Sequence, residues 1–144
     1  MISAGMYRDL IKPRHEKLFR AQKDLFPQPF YIFFHSDGQM YDLIPDFIEI
    51  GMEILNPVQI TGKSLDLIKA EFGDQISFWG GGVDTQKVLP FGSPEEVRSD
   101  VKERIEQLSP GGGFIFCTVH NIQADVTPQN ITTMYEALRE HGRY

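Results

Sequence analysis

Short apolar runs alternate with amphipathic segments along most of the chain. Phe30–Phe34 consists of five apolar or aromatic residues in a row, which indicates a strand buried on both faces. The other predicted strands are Glu53–Asn56, Ile76–Trp79 and Phe114–Val119. Between and around them, apolar residues recur at helical spacing, and these segments predict helices over Tyr7–Leu25, Met40–Ile50, Leu65–Phe72, Pro94–Leu108 and Pro128–Glu140.

The helix starts carry capping signals. Ser93-Pro94-Glu95-Glu96 places serine at the N-cap, proline at the first helical position and glutamate where a capping box needs it. Thr127-Pro128 repeats the combination of cap and proline. No hairpin turn joins successive strands, so the alternation implies right-handed βαβ crossovers and a parallel sheet. We therefore predict an α/β fold in a single domain over residues 1–144, with the strands in the order 1-2-3-4.

Composition narrows the class of protein. The 144 residues are 41% hydrophobic and carry a formal net charge of −6, which argues against a nucleic-acid partner. Cys117 is the single cysteine, so the sequence permits no internal disulfide and suits a reducing compartment. No apolar stretch approaches the roughly 20 residues that cross a bilayer, and the N-terminus lacks the apolar region of a signal peptide. We expect a cytoplasmic protein with no membrane partner.

Polar and ionisable residues follow the predicted strands, whereas the opposite strand ends carry mainly turn residues. Parallel sheets place their binding residues at the carboxyl ends of the strands. This asymmetry predicts a ligand site at the carboxyl-end rim of the sheet. The candidates for chemistry or binding there are His35, Asp37, Asn56, Gln59, Gly81, Gly82, Asp84, Gln86, His120 and Gln123.

The two rim histidines are candidates for catalysis or metal binding. His35 ends an apolar run, and Asp37 follows two positions later, so the pair could ligate a metal or transfer a proton. For Asp37 an N-cap role is an equal alternative, since its carboxylate could accept free helix N–H groups. We favour a functional role for His35 because of its place at a strand tip. The same holds for His120, which should face His35 across the rim.

The glycine-rich segment after the third strand has two interpretations. Gly80-Gly81-Gly82 would let the backbone approach a ligand and offer N–H groups to a carboxylate or phosphate. A strained loop explains the triplet equally well, and the spacing fits neither a P-loop nor a dinucleotide fingerprint. The long loop that follows, Val83–Ser93, should lie over the rim, with Asp84 and Gln86 forming hydrogen bonds to a ligand.

Three segments resemble one superfamily when taken together: FFHSDGQMYDLIPDFIEIGMEILNPVQ, FGDQISFWGGGVDTQKVLPFGSPEEV and PGGGFIFCTVHNIQADVTPQNITTMYEAL. They are similar to the uroporphyrinogen decarboxylase superfamily, which includes porphyrinogen decarboxylases and corrinoid-dependent methyltransferases of the methylcobalamin:coenzyme M type. The resemblance implies a (β/α)₈ barrel, and such barrels need about 250 residues. It places this chain as the C-terminal half only, with four parallel strands and outer helices.

The resemblance leaves two activities open. Its methyltransferase branch, which we favour, uses a corrinoid as methyl carrier and holds zinc through His-x-Cys and a later cysteine. His35 matches the first ligand, while Asp37 and His120 stand at the other two positions. This implies zinc or another divalent metal on the three residues, with His35 and His120 as catalytic residues. The decarboxylase branch acts in porphyrin biosynthesis without a cofactor, and its late histidine also matches His120.

The same resemblance sets expectations about partners. A half-barrel should form a homodimer or bind a complementary N-terminal half-barrel, because its sheet edges are otherwise unpaired. Its ligand would be a small molecule or a tetrapyrrole, and the methyltransferase interpretation adds a corrinoid protein. The chain could be a truncated fragment or one piece of a split protein. A third hypothesis is an inactive subunit that depends on its complement.

Overall fold

The predicted strands form one parallel sheet in the computed structural model, which describes residues 3–38, 40–58 and 64–142. The strands lie side by side in the order β1-β2-β3-β4, and each neighbouring pair is parallel. The predicted α/β fold and strand order are confirmed. The strand bounds are β1 (Phe33–His35), β2 (Ile54–Asn56), β3 (Ser77–Trp79) and β4 (Phe114–Ile115).

Helices precede, connect and follow the strands at the predicted places. In the part of the chain that the structure describes, no helix is long and apolar enough to cross a membrane. The first helical region continues from one helix through the π-helical stretch Tyr7–Ile11 into the next, and a 3₁₀ turn at Tyr41–Leu43 precedes the third. The α-helices are α1 (Ala4–Met6), α2 (Lys12–Leu25), α3 (Ile44–Glu49), α4 (Leu65–Phe72), α5 (Val88–Phe91), α6 (Pro94–Leu108) and α7 (Pro128–His141).

The predicted caps of the last two helices are present. At the start of α6 the Glu96 amide donates to Ser93 Oγ at 3.2 Å, and the Ser93 amide donates to Glu96 Oε2 at 2.7 Å. This is the capping box that the sequence predicts. At the start of α7 the Asn130 amide donates to Thr127 Oγ1 at 3.2 Å. Local sequence therefore fixes where both helices begin.

All four strands differ from their predicted bounds: β2 and β3 begin one residue later than predicted, and the larger differences in β1 and β4 affect the site. β1 begins at Phe33 instead of Phe30 and includes His35, which pairs with Asn56. β4 ends at Ile115 instead of Val119. Beyond Ile115 the chain lies beside the glycine triplet, whose first two members have positive φ and so depart from strand geometry, although the Gly80 and Gly82 amides still donate to the carbonyls of Ile115 and Cys117. His120 consequently lies in a loop well beyond the strand end.

The predicted long loop Val83–Ser93 is in part a helix. Residues 88–91 form α5, in which Leu89 is fully buried. The Leu89 carbonyl accepts a hydrogen bond of 2.9 Å from Nδ2 of Asn130 in α7, itself a buried residue. The same amide nitrogen donates to the Gly92 carbonyl at 2.9 Å. These hydrogen bonds attach α5 and Gly92 to α7. The earlier part of the segment, residues 83–87, is therefore the part that can contact the rim.

The two faces of the sheet differ in burial. Register places Leu55 and Phe78 next to each other, and both are fully buried in the hydrophobic core formed with the helices. The opposite face carries Phe33 and Ile115, which are 45% and 38% exposed, and the half-buried Trp79. The prediction of a strand buried on both faces is therefore correct for one face only. In a closed barrel the exposed face would line the interior.

The N-terminal helical region is attached to α3 through a buried carboxylate. Asp46, which is 6% exposed, accepts hydrogen bonds from Arg8 Nε at 2.9 Å and Lys12 Nζ at 2.8 Å. Burial alone would raise the pKa of Asp46, but the two cations hold it below its usual value. Lys12 also contacts the exposed Glu49 at 2.6 Å, and these hydrogen bonds raise the pKa of the lysine. An ion-pair cluster thus joins elements far apart in sequence.

Candidate functional site

Asn56 links the carboxyl ends of three strands. It ends β2, and its side chain is buried, with 9% of the residue exposed. Asn56 Nδ2 donates to the backbone carbonyl of Trp79 in β3 at 2.9 Å, and Asn56 Oδ1 lies 2.6 Å from Nδ1 of His35 in β1. The register explains the contact, because His35 and Asn56 are paired residues whose side chains share one face. The His35 imidazole is therefore held against the sheet by the Asn56 side chain.

Asp37 lies on the other side of the His35 ring. Its Oδ2 is 3.4 Å from His35 Nε2, and the two side chains are 53% and 60% exposed. The alternative role as a helix cap does not apply to the helical region that follows. That region begins with a 3₁₀ turn whose N-cap is Met40, and α3 begins after Leu43. Asp37 is therefore positioned beside the imidazole and not at a helix start.

A cavity of about 400 Å³ opens at the same rim. Asp37 borders it from the β1 side, Gln86 from the segment after β3, and His120 and Gln123 from the segment after β4. Thr85 also borders the cavity, although it was not among the predicted site residues and both of its neighbours were. The structure therefore brings four of the predicted site residues, Asp37, Gln86, His120 and Gln123, around one space.

His120 is exposed and its ring is oriented by its own loop. The Asn121 amide donates to His120 Nδ1 at 2.9 Å, and Thr118 Oγ1 donates to the His120 carbonyl at 2.6 Å. Because Nδ1 accepts a hydrogen bond, the neutral ring carries its proton on Nε2. His120 can thus present an N–H donor to a ligand in the cavity.

The predicted metal site of His35, Asp37 and His120 is not assembled in the described part of the chain. Over residues 3–38, 40–58 and 64–142, no group of three His, Cys, Asp or Glu side chains is arranged to hold a metal ion. The reason is topological. His35 and Asp37 belong to the β1 end of an open sheet, whereas His120 follows β4 at the opposite edge. The structure brings His35 and Asp37 together, whereas His120 lies across the cavity from them.

The glycine triplet is explained by close packing. Gly81 has a φ of +81°, and a Cβ atom there would lie 2.5 Å from the Val58 carbonyl oxygen. A Cβ atom on Gly82 would overlap the Phe116 ring. The Gly82 amide donates to the Cys117 carbonyl at 3.0 Å, so it is engaged within the sheet region. These contacts account for Gly81 and Gly82 without a ligand, although both were predicted to bind one.

Asp84 and Gln86, predicted together, have different surroundings. Asp84 Oδ1 accepts hydrogen bonds from the amides of Gln86 at 2.8 Å and Lys87 at 2.9 Å, which form a local turn. Its own amide donates to Asp100 Oδ2 at 2.6 Å. Asp84 therefore shapes the segment, while Gln86 borders the cavity. Gln59, another predicted binding residue, lies outside the described residues.

Comparison with protein families agrees with this architecture. A model of the uroporphyrinogen decarboxylase family matches residues 1–141. The chain belongs to this family. The resemblance predicted from the sequence is therefore confirmed, and the four-stranded sheet is part of the family's barrel.

Individual relatives show how much of the barrel is covered. The uroporphyrinogen decarboxylase of Chlorobaculum parvum is 24% identical over 146 aligned residues, which include 98% of this chain and 39% of the relative. That of Methylococcus capsulatus is 28% identical over 68 residues. Among solved structures, a methyltransferase from Methanosarcina mazei superposes with a TM-score of 0.76 at 18% identity, covering 99% of this chain and 39% of that one. The chain spans about two fifths of the length of the Chlorobaculum and Methanosarcina proteins.

Proposed function

We propose that this chain provides half of the carboxyl-end rim of a barrel that performs metal-assisted methyl transfer between a corrinoid and a thiol or methoxylated substrate. The observation that carries the proposal is the His35–Asp37 pair, whose Nε2 and Oδ2 atoms lie 3.4 Å apart at the rim. An imidazole supported by Asn56 and an exposed carboxylate beside it form a candidate half of a cation site.

The spacing of the pair fits two ligands of one divalent cation. Ligand bonds of about 2.0–2.1 Å at a tetrahedral angle separate two donor atoms by roughly 3.3–3.4 Å. Imidazole nitrogen and carboxylate oxygen are both ordinary ligands of zinc. His120 is the proposed third ligand, and closing the sheet into a barrel would bring it nearer, because the strand ends then converge on one axis. To bind a cation through Nε2, the His120 ring would have to give up the hydrogen bond from the Asn121 amide and carry its hydrogen on Nδ1.

The remaining rim residues would position the substrate. A divalent cation, when bound, would favour the thiolate form of a thiol acceptor. Gln86 and Gln123 offer amide groups on two sides of the cavity, and Gln59 stays a proposed contact of the same kind. Asp84, Gly81 and Gly82 would act through the backbone by holding the segment before α5 in place. Asn56 would act through His35.

A second candidate function is decarboxylation of a porphyrinogen without a cofactor. Two observations favour it: the curated relatives are uroporphyrinogen decarboxylases, and His120 can offer an Nε2–H group to the cavity. In this alternative His120 is a proton donor or polar anchor for a tetrapyrrole carboxylate. His35 and Asp37 would then be neighbouring polar side chains beside the site, without a cation.

For either function, we propose that the exposed sheet face and both open edges are covered by a complementary half-barrel. Phe33 and Trp79 form an edge-to-face ring pair at 5.2 Å on that face, and Ile115 stands beside Trp79 in register. An apolar surface of this kind suits the interior residues of four further strands. A second copy of the chain would be the substitute when no complement is present. If neither covers the face, the chain is an inactive fragment.

Zinc titration tests the cation site directly. We expect Zn²⁺ to shift the imidazole NMR signals of His35 in chain labelled with ¹⁵N-histidine, because Nε2 is the proposed ligand. Asp37→Asn should weaken the apparent affinity about tenfold or more, since one ligand loses its charge. His35→Ala should remove the site. Asp125→Asn, which neutralises an exposed carboxylate in the segment after β4, is the matched control and should leave the affinity unchanged.

The opposite outcomes are equally definite. If Asp37→Asn and wild type bind Zn²⁺ alike, or if the His35 signals do not respond, the pair is not a cation site. The decarboxylase alternative then gains support, provided that activity of the complemented barrel is lost on His120→Ala and retained on Asp37→Asn.

A further inference from the structure

We infer that Asn56 is a positioning residue that keeps neutral His35 protonated on Nδ1 and leaves the Nε2 lone pair free at the rim. The sequence indicated only a ligand contact for Asn56. The use of Nε2 for a cation rests on the proposed function, whereas the protonation state of the ring follows from the hydrogen bonds of the chain itself.

The orientation of the Asn56 amide is set by a backbone carbonyl. The Trp79 atom that contacts the Asn56 amide is the backbone carbonyl oxygen, which accepts hydrogen bonds and cannot donate them. The amide group 2.9 Å from it must therefore be the NH₂ end. The other end, Oδ1, then faces His35 at 2.6 Å. Since Oδ1 cannot donate, His35 Nδ1 must carry the hydrogen of this bond.

The surroundings prevent the amide from turning over. Asn56 is buried, so neither end of its amide can turn to solvent for a replacement partner. A reversed amide would place an oxygen against the Trp79 carbonyl and an NH₂ group against the imidazole. A buried polar group that loses its hydrogen-bond partner lowers the folding equilibrium constant severalfold or more. The observed orientation is therefore strongly preferred.

The Asp37 carboxylate could also accept the hydrogen of the neutral His35 ring, but it lies farther from the ring than Asn56 Oδ1 does. A proton on Nε2 would face Asp37 Oδ2 at 3.4 Å, a long contact between two largely exposed side chains. The contact to Asn56 is 0.8 Å shorter, as 3.4 minus 2.6 gives, and lies on the buried side of the ring. The neutral ring therefore holds its hydrogen on Nδ1, with the Nε2 lone pair beside the carboxylate. A cation or a proton can bind between the Nε2 lone pair and the carboxylate.

Asn56 thus has a different role from the one that its sequence position indicates. Its oxygen and nitrogen are each engaged within the sheet, and the residue is buried. His35 stands next to Asp37, which borders the cavity, and Asn56 would affect a ligand there only by setting which nitrogen of the His35 ring is free. In many metal sites a hydrogen bond to the other ring nitrogen fixes the tautomer and orientation of a ligating histidine in this way.

Long-range ¹H–¹⁵N NMR of histidine-labelled chain tests the inference without metal or substrate. At pH 8 the wild-type His35 ring should show the pattern of a protonated Nδ1 and an unprotonated Nε2, with His35→Gln assigning the signals. In Asn56→Ala the ring should convert to a mixture in which Nε2–H is substantial. Asn56→Asp, which keeps an oxygen acceptor, should retain the Nδ1–H pattern. Asn121→Ala removes another rim amide and should leave His35 unchanged.

Each result has a definite meaning. An Nε2–H pattern at His35 in wild type overturns the inference, and so does an unaltered Nδ1–H pattern in folded Asn56→Ala. If Asn56→Ala does not fold, Asp37→Asn decides: the Nδ1–H pattern should persist, and its loss would show that Asp37 sets the tautomer. A wild-type Nδ1–H pattern combined with no response to Zn²⁺ supports the role of Asn56 and removes the proposed cation site.

Discussion

At the scale of single residues, the rim groups differ in how they are held. The exposed His35 ring is held by the buried Asn56 side chain, whereas Asp37 and His120 lie in loop segments at the edge of the cavity. The contact between His35 and Asn56 follows from strand register, because paired residues at β1 and β2 share a face. The loop segments follow the strands, where a ligand or a complementary chain can reach them.

Gly81→Ala tests the packing explanation of the glycine triplet. Gly81 and Gly111 both have positive φ, of +81° and +76°, but of the two only Gly81 has backbone within 4 Å of the place that a Cβ atom would occupy. Gly111→Ala should cost about 1–2 kcal/mol from backbone conformation alone. Gly81→Ala should lower the free energy of unfolding by at least about 1 kcal/mol more, because its methyl group meets the Val58 carbonyl. Urea unfolding of both variants measures the difference, and equal losses would contradict the explanation.

At the scale of elements, the sequence was informative wherever a local signal decides the structure. The capping box at Ser93 and Glu96 starts α6 as predicted, because it needs only residues within one turn. The ends of β1 and β4 were predicted less well, because they depend on neighbouring strands. The attachment of the first helices to α3 was missed, since Arg8 and Asp46 are distant in sequence and nothing local indicates their contact.

Asp46→Asn tests that attachment. The buried carboxylate binds two cations, so its neutralisation should lower the free energy of unfolding by about 1–2 kcal/mol at pH 7 and speed hydrogen exchange in residues 4–25. Glu49→Gln is the matched control: it touches the same lysine from a side chain that is 71% exposed and should have little effect. A larger loss in Glu49→Gln than in Asp46→Asn would contradict the structural role of Asp46.

The same contact has a defined pH dependence. The pKa of Asp46 is lower in the folded chain than its usual value of 3.8, so the unfolded chain binds the proton more readily. The stabilisation is fully present above that value and is lost as the pH falls through the lower, folded pKa. The difference in unfolding free energy between wild type and Asp46→Asn should therefore shrink below about pH 4. A difference that stays constant down to about pH 2 would show that ionisation of Asp46 does not matter.

At the scale of the whole molecule, the main feature is the exposed sheet face, which is what a half-barrel without its complement is expected to leave uncovered. The apolar runs of the sequence indicated burial on both sides, and this is the composition expected of barrel strands. The chain covers 39% of the Chlorobaculum parvum relative, so residues adapted to a closed barrel stand exposed here. For the same reason the sequence indicated a three-ligand metal site that the open sheet, over its described residues, does not assemble.

We expect the exposed face to drive association of the isolated chain. Sedimentation should show dimers or larger species at micromolar concentration, and Phe33→Asp should shift the distribution toward monomer by placing a charge on that face. Tyr135→Asp is the matched control, since Tyr135 is 53% exposed on α7 and Phe33 is 45% exposed on the sheet. A stable wild-type monomer, or equal effects of both substitutions, would contradict the proposal that this face is an interface.

The most direct test of the proposed function compares two ligands on the same protein. Visible spectra of the chain with Zn²⁺ would be recorded during titration with methylcobalamin and, separately, with uroporphyrin. We predict a saturable spectral change with methylcobalamin that is lost on His35→Ala and retained on Tyr135→Asp. Saturable binding of uroporphyrin that depends on His120 and not on His35, with no response to methylcobalamin, would contradict the proposed function.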